Sequence, residues 1–327
     1  MTVINGIELD ELTIRKNETK SALLNNDKIE EKLHVIMVIS NPCEYIRRWE
    51  LARKFIKHMN ENDDIILYIV ELIYPNQTYH ITDSDNSKHL QLKTEHVLWH
   101  KENMINLGVK NLLPENWKAM AWVDADLEFE NIYWASDTLK ILNGYKDIVQ
   151  CYSHCADLNK KECTMRIFTA FGYNYEIGKK YNKNGNDYWH PGFCWAITRK
   201  AYEKIGGLYQ NSILGSGDHN MALALIGSNK SINTNADPSY KKNINELVNK
   251  ISKLRLGYVP GVIRHFYHGS KANRKYMERW KILVDNKYNP YKHITIDENG
   301  ILIPTPECPQ QILTDIIKYF KERNEDE

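Results

Sequence analysis

Runs of apolar residues alternate along the chain with longer stretches in which apolar residues recur every three or four positions. The first run, residues 33–39 (LHVIMVI), is continuous and rich in β-branched side chains, which is typical of a strand buried on both faces in a parallel sheet. Asn41 and Pro42 follow as a predicted helix N-cap and first-turn proline. Helically spaced apolar residues up to Met59 and a second strand over 65–70 complete a predicted βαβ unit.

The same patterns predict the remaining elements. Further strands are expected over 119–123, 147–152, 193–197 and 258–268, and further helices over 94–106 with a stop at Gly108, after Thr198 with a stop at Gly206-Gly207, after Gly217 and within 309–327. Two polar stretches are predicted to be a mobile loop (156–188) and an insertion (228–250). This alternation predicts an α/β fold with a Rossmann-like, mainly parallel sheet and helices on both faces. The predicted division is an extension (1–31), a main domain (32–285) and a second extension with a terminal helix (286–327).

Composition narrows the class of protein. The 43 Lys and Arg residues nearly balance the 42 Asp and Glu residues, which argues against a nucleic-acid binder or an acidic disordered chain. Six cysteines in 327 residues are too sparse for a disulfide framework. No apolar run reaches the ~18 residues of a membrane span and the first residues do not form a secretory signal, so a cytoplasmic location is expected. Neither a dinucleotide-binding glycine motif nor a P-loop is present in the sequence.

An Asp-x-Asp motif, Asp124-Ala125-Asp126, directly follows the strand predicted over 119–123. Open α/β sheets bind ligands at the carboxyl ends of their strands, and two carboxylates there can hold a hard divalent cation against a diphosphate. The alternative is an acidic turn that merely ends a strand. A second copy, Asp83-Ser84-Asp85, lies in a polar tract and is interpreted as a solvated turn.

Two later segments carry residues suited to the same chemistry. His265 and His268 lie in residues 263–269 (IRHFYHG), and an imidazole from a later strand could complete the ligand shell of Mn²⁺; surface histidines that bind nothing are the alternative. Gly217 would allow close backbone approach to a ligand. Asp218, at a predicted helix start, is either an ordinary N-cap or a general base.

An aromatic run, residues 187–195 (DYWHPGFCW), precedes and enters a predicted strand. We assign Phe193 and Trp195 to the core, whereas Trp189 and His190 are expected to contact a sugar. Four neighbouring Cys and His residues fit no standard zinc spacing, and buried or idle thiols are favoured: Cys151, His154, Cys155 and Cys163.

The order of these motifs resembles that of GT-A fold glycosyltransferases, in particular the β-1,4-galactosyltransferase type and family-two-like enzymes. The likeness extends over roughly residues 33–285 and is more specific than any single motif. It rests on seven segments: Ser40-Asn41-Pro42, residues 99–108 (WHKENMINLG), Asp124-Ala125-Asp126, Pro191-Gly192-Phe193, residues 206–208 (GGL), Gly217-Asp218 and residues 262–265 (VIRH).

The resemblance implies a hexosyltransferase that uses a nucleotide-sugar donor, usually UDP-linked, with Mn²⁺ or Mg²⁺ as cofactor. It implies a nucleotide-sugar half (32–127) and an acceptor half (128–285). Asp126 would ligate the metal, Asp124 would contact the ribose or the metal, and His265 or its rival His268 would be a further ligand. The donor would also be contacted by these residues: Ser40, Asn41, Pro42, Glu71, Lys101, Asn106 and Ala125.

For the acceptor, the resemblance implies a glycan, glycolipid or glycoprotein hydroxyl that Asp218 deprotonates, with inversion at the sugar; if Asp218 is only structural, retention stays open. The acceptor side would comprise these residues: Trp189, His190, Gly217 and His219. The relatives carry an acid directly before the base, and this chain has Gly217 there. Acceptor choice is therefore not carried over.

Other classes of protein remain as alternatives. One is a catalytically inactive sugar-binding or structural protein on the same scaffold. Another is a nucleotidyltransferase, which would normally have a glycine-rich basic loop where this chain has residues 41–44 (NPCE). A haloacid-dehalogenase-like phosphatase is disfavoured because its Asp-x-Asp belongs to the first strand, not to a position near residue 124.

Overall fold

The computed structural model describes residues 3–4, 7–8, 18–182, 188–275 and 278–327, so Asp187 of the aromatic run lies outside the described residues. The described elements are, in chain order, β1 (Val3–Ile4), β2 (Ile7–Glu8), α1 (Glu18–Asn25), β3 (Leu33–Ser40), α2 (Ile46–Asn60), β4 (Ile65–Ile73), β5 (His89–Lys93), α3 (Lys101–Leu112), β6 (Ala119–Val123), β7 (Leu127–Phe129), α4 (Trp134–Leu142), β8 (Ile148–Gln150), β9 (His154–Leu158), β10 (Thr164–Ala170), α5 (Phe171–Glu176), β11 (Trp189–His190), β12 (Cys194–Thr198), α6 (Arg199–Ile205), α7 (Gly217–Leu225), α8 (Pro238–Ile251), β13 (Leu256–Tyr258), β14 (Val262–His265), a 3₁₀ turn (Lys271–Arg274), α9 (Trp280–Asp285), β15 (Ile294–Ile296), β16 (Leu302–Pro304) and α10 (Gln310–Glu322).

A seven-stranded sheet with the order β13-β8-β12-β6-β3-β4-β5 forms the centre of the fold. Among its described strands, β12 alone runs antiparallel to its neighbours, and the other pairs are parallel. Side chains of β3 alternate between two core clusters: Ile36 packs with residues of α3, and Val35 and Met37 pack with residues of α2 and α4. The predicted α/β fold, a mainly parallel sheet with helices on both faces, is therefore confirmed.

The strands of a second sheet, ordered β11-β10-β9-β14-β7, are interleaved along the chain with the later strands of the first. The chain leaves β6 of the first sheet at Val123 and enters β7 of the second at Leu127. The Asp-x-Asp motif is therefore the crossing between two sheets, at the carboxyl edge of the parallel strands.

The stretch predicted to be a mobile loop and the stretch predicted to be a polar insertion both contain regular structure. Within 156–188, β9 and β10 form an antiparallel hairpin that leads into α5. Within 228–250, α8 begins with Asp237 as its N-cap and buries Tyr240 and Ile244. In α8 the lysines conceal an amphipathic pattern, because they lie outside the buried stripe that Tyr240, Ile244, Leu247 and Ile251 form. The mobility predicted for 156–188 stays a prediction.

Two predicted helix starts are wrong. Helix α3 begins at Lys101 instead of Thr94 and continues through Gly108. Because a Cβ on Gly108 would lie 3.0 Å from a Val70 methyl group, this glycine lets the helix approach the sheet and does not end it. Asn41 does not cap α2. Its side chain accepts a hydrogen bond from the Tyr45 N–H at 3.0 Å and donates one to the Tyr45 C=O at 2.8 Å. Helix α2 starts at Ile46, one residue after Tyr45.

Other predictions from local rules are confirmed. The strand over 119–123 is β6. Thr198 caps α6 by accepting a hydrogen bond from the Ala201 N–H, and Gly206 ends that helix with a φ of 76°. The terminal helix, α10, buries Ile312 and Ile316 in the main core. No described helix combines the length and the apolar character that a membrane crossing requires. The predicted domain division stays a prediction.

Candidate functional site

Strand pairing brings Asp126 and His265 together. Strand β14 runs antiparallel to β7, with His265 opposite Leu127, the residue after Asp126. The next residue along the chain, Phe266, donates its backbone N–H to the Asp126 carbonyl at 2.9 Å. The end of one strand and the start of the other therefore place a late imidazole beside the early carboxylate.

Asp126, His265 and His268 converge on one point. The Asp126 Oδ2 atom lies 2.8 Å from His268 Nε2 and 3.7 Å from His265 Nε2. One ligand atom from each of the three residues falls within 4.8 Å of the others. Asp126 Oδ1 and His265 Nε2 are buried and have no hydrogen-bond partner among the described residues. A carboxylate and two imidazoles with such unmatched atoms fit the ligands of a divalent cation, and the cluster contains both histidines, where one was expected to be a ligand.

The charges within this cluster support one another. Burial alone would raise the pKa of Asp126, but the His268 and His265 imidazoles bring it well below its ordinary value. Burial would lower the pKa of His265, and the Asp126 carboxylate outweighs this and raises it. Arg274 also reaches the cluster, with a guanidinium nitrogen 2.6 Å from His268 Nε2. Asp126 is therefore an ionised acceptor at neutral pH, which is the form that binds a cation.

Lys101 joins the other acid of the motif to Asp218. Its Nζ atom lies 2.6 Å from Asp124 Oδ1 and 3.0 Å from Asp218 Oδ2. Burial would lower the pKa of Lys101, but these two carboxylates raise it well above its ordinary value. Burial raises the pKa of Asp124 to about 6, against the opposing effect of Lys101. Three chain-distant elements, β6, α3 and α7, thus meet at one mostly buried ammonium group.

Glu102 is a buried carboxyl group that sequence reasoning missed. It is 5% exposed, and its Oε2 atom has no hydrogen-bond partner among the described residues. Burial and the neighbouring Asp218 charge raise its pKa to about 8. A Cβ on Gly217 would lie 2.0 Å from Glu102 Oε1. The lack of a side chain at Gly217 therefore leaves room for the Glu102 carboxyl group from α3. This carboxyl group occupies the space that the Cβ atom of an acidic residue at position 217 would enter.

The predicted acceptor residues divide into two groups. His190 stacks on Phe193, with ring centroids 4.3 Å apart, and a Cβ on Gly192 would lie 3.1 Å from the His190 ring and 3.9 Å from Asp218 Oδ2. His190 and Asp218 thus face a common space.

Trp189 instead is 3% exposed and packs edge-on against Phe171 at 5.1 Å. Our expectation of a sugar contact from Trp189 is corrected, because β11 turns this side chain into the core. His219 follows Asp218 on α7, about 100° further round the helix.

Several residues that were predicted to contact the nucleotide use their polar side-chain atoms in hydrogen bonds within the protein. Glu71 accepts hydrogen bonds from the backbone N–H groups of residues 80–82, and Asn106 holds both the N–H and the C=O of Leu208. With Asn41, which holds Tyr45, these side chains fix loops around the site. The other predicted contacts lie at the carboxyl edges of β3 and β6: Ser40, Pro42 and Ala125.

Two cavities lie beside α2 and the ends of β3 and β4. A cavity of about 10 Å³ lies where β3 and β4 end, lined by Asn41, Trp49 and Glu71, and it holds no more than one water. A wider, open groove of about 590 Å³ runs along α2 beside His80 and contains none of the predicted site residues. We therefore place the site by its converging side chains and not by the wider groove.

Two further charged residues reach the cluster from distant parts of the chain. Asp157 on β9 lies 2.8 Å from His265 Nδ1. Glu325, in the segment after α10, pairs with Arg48 and lies 3.7 Å from His268 Nδ1. Nothing in the local sequence around either acid marks it, because strand register and the docking of α10 decide their positions.

No family model and no curated protein matches this chain. Among solved structures it is similar to the catalytic domain of Drosophila β1,4-galactosyltransferase 7 in complex with xylobiose, at 11% identity and a TM-score of 0.40 over 88% of this chain and 99% of that one. It is also similar to a mannosyltransferase from Pyrobaculum calidifontis in complex with GDP-Man and Mn²⁺, at 13% identity and a TM-score of 0.41 over 94% of this chain and 76% of that one.

A third similarity is to the inositol-1-phosphate CTP transferase from T. maritima, at 9% identity and a TM-score of 0.36 over 72% of this chain and 90% of that one. Identities of 9–13% and TM-scores of 0.36–0.41 do not assign an activity to this chain, so its function has to be argued from its own side chains.

Proposed function

We propose that this protein is a metal-dependent glycosyltransferase that moves a sugar from a UDP-linked donor to a hydroxyl acceptor. The observation that carries the proposal is the convergence of Asp126, His265 and His268 beside a sheet's carboxyl edge. The Asp124–Lys101–Asp218 bridge lies on the other side of the same motif. A cation site beside an acid suited to proton transfer is the arrangement that this reaction needs.

Each residue has a separate task in the proposed reaction. Asp126 and the two histidines would hold Mn²⁺ or Mg²⁺, whose positive charge would stabilise the diphosphate as it leaves. Asp218 takes the proton from the acceptor hydroxyl, and Lys101 holds the Asp218 carboxylate in place through its 3.0 Å contact. Attack from the face opposite the leaving group gives inversion. The aromatic ring of His190 offers the acceptor, a glycan, glycolipid or glycoprotein, an apolar face.

The test combines calorimetry with a transfer assay. The full chain is titrated with Mn²⁺, and then with UDP in the presence and absence of Mn²⁺. UDP release from a panel of UDP-sugars is measured with candidate acceptors. Asp126→Asn should weaken both metal and UDP binding. The matched control is Asp83→Asn, which removes a carboxylate from the exposed Asp-x-Asp copy at 83–85 and should change neither.

Three results would overturn the proposal. UDP binding that is indifferent to Mn²⁺ and to Asp126 would remove the metal site. Release of pyrophosphate from a nucleoside triphosphate, without sugar transfer, would identify a nucleotidyltransferase. Sugar binding with no turnover of any nucleotide sugar would identify an inactive sugar-binding protein.

A further inference from the structure

Asp157 lies behind His265, on the side away from Asp126. Strands β9 and β14 are parallel neighbours with Asp157 and His265 in register. The Asp157 Oδ1 atom lies 2.8 Å from His265 Nδ1, and the Asp157 side chain is 1% exposed. Since a buried carboxylate only accepts, His265 Nδ1 carries the proton in this contact.

The other oxygen of Asp157 is also occupied. Asp157 Oδ2 accepts a hydrogen bond from Arg166 Nε at 3.1 Å and another from Lys271 Nζ. Arg166 comes from β10 and Lys271 from the 3₁₀ turn that follows β14. Two cations from different elements therefore fix the carboxylate that in turn faces His265.

The proton on Nδ1 has a consequence at the opposite ring nitrogen. His265 Nε2 is therefore the ring nitrogen that is left to face the cluster: it is buried, has no hydrogen-bond partner among the described residues and lies 3.7 Å from Asp126 Oδ2. It faces the point that Asp126 and His268 share. A cation bound at that point would replace any proton on Nε2, because the neutral imidazole is the form that binds a metal.

We infer that Asp157 is a positioning residue, which fixes the ring orientation and the Nδ1–H tautomer of His265 so that Nε2 can bind the divalent cation. This inference rests on the proposed function, because it needs the cation site. Carboxylates that accept from the outer nitrogen of a ligating histidine raise its basicity and restrict its rotation. Arg166 and Lys271, which donate hydrogen bonds to Asp157 Oδ2, in turn hold the Asp157 carboxylate in place.

The experiment measures Mn²⁺ affinity and the His265 tautomer separately. Asp157→Ala should weaken Mn²⁺ binding roughly 10- to 100-fold, and Asp157→Asn, which keeps an acceptor oxygen, should fall between it and the unaltered protein. The matched control is Glu128→Gln in the same sheet: Glu128 pairs with Arg264, one residue before His265, at 3.0 Å and should leave the affinity unchanged. ¹⁵N NMR of the metal-free chain should report Nδ1–H at His265, and a mixture of tautomers in Asp157→Ala.

The tautomer measurement separates this inference from the proposed function. If the unaltered chain binds no Mn²⁺, the proposed function fails, and the tautomer of His265 still tests whether Asp157 positions the ring. Equal Mn²⁺ affinity and an unchanged tautomer in Asp157→Ala would overturn the inference. If Asp157→Ala does not fold, Asp157→Asn decides by the same two readouts, with circular dichroism as the check on folding.

Discussion

Glu102 should make the stability of the metal-free protein fall as pH rises. Burial of this 5%-exposed carboxyl group, with the Asp218 charge beside it, raises its pKa from 4.5 to about 8. Between these values the folded chain keeps a proton that the unfolded chain has released. The folded state therefore binds more protons, and the free energy of unfolding falls as pH rises through this window and levels off above pH 8.

The size of the effect follows from the shift. One pKa unit corresponds to about 1.4 kcal/mol, so the rise from 4.5 to about 8 costs the ionised form on the order of 5 kcal/mol, as an upper bound. Glu102→Gln keeps the shape of the side chain and cannot ionise. This variant should lose the dependence and gain stability relative to the unaltered protein as pH rises from 5 to 9.

Urea unfolding at one-unit pH intervals, without added metal, measures this difference. Contributions from groups that do not interact with Glu102 cancel when the two proteins are subtracted at each pH. Glu50→Gln serves as the control, since it removes an exposed carboxylate on α2 and leaves Glu102 in place. A Glu102→Gln difference that does not change between pH 5 and 9 would refute the buried, protonated carboxyl group.

Three further predictions concern the groups around Glu102. Asp218→Asn should lower the rate of sugar transfer by roughly 10²- to 10⁴-fold, while the UDP affinity measured by calorimetry stays unchanged. Near-normal transfer by Asp218→Asn would exclude Asp218 as the base. Loss of transfer in His219→Ala would assign the base to His219 instead. Lys101→Met leaves two carboxylates without their cation, so urea unfolding at pH 7 should show a loss of about 3–5 kcal/mol, and a loss near zero would mean that water already screens the bridge. Gly217→Ala should destabilise the protein, because the added Cβ would meet Glu102 Oε1 at 2.0 Å; a double-mutant cycle should show a smaller loss in a Glu102→Ala background, and equal losses would contradict the contact.

Local patterns were sufficient for much of the sheet and for part of the site. A continuous run rich in β-branched residues predicted β3, and a short, wholly apolar run predicted β6, because strands buried on both faces of a sheet lack the alternation of polar and apolar residues. The position of Asp124 and Asp126 after β6 then predicted a ligand-binding edge. The helix capped by Thr198 and ended by Gly206 was predicted from capping chemistry that involves only near neighbours in sequence.

The same rules failed where a residue's role depends on a distant partner. Gly108 resembles a helix stop in sequence, but it lies inside α3 because Val70 on β4 leaves no room for a side chain. Asn106 and Glu71 have the chemistry to bind a ligand, but loops that fold back on them use their hydrogen-bonding atoms. Trp189 precedes a strand as a ligand-binding aromatic would, but Phe171 and the core bury it.

The sequence by itself determined the first βαβ unit, strand β6, the capped helix α6, the acid pair after β6 and the late histidines, since each depends on patterns within a few residues. Tertiary structure alone decided which of these residues meet. The register of β14 against β7 and β9 sets His265 between Asp126 and Asp157, and the docking of α3 brings Lys101 to Asp124 and Asp218. A shift of one residue in that register would turn the imidazole to the other face of the sheet. The register depends on how β14 pairs with β7 and β9, which are distant in sequence, so no local pattern predicts it.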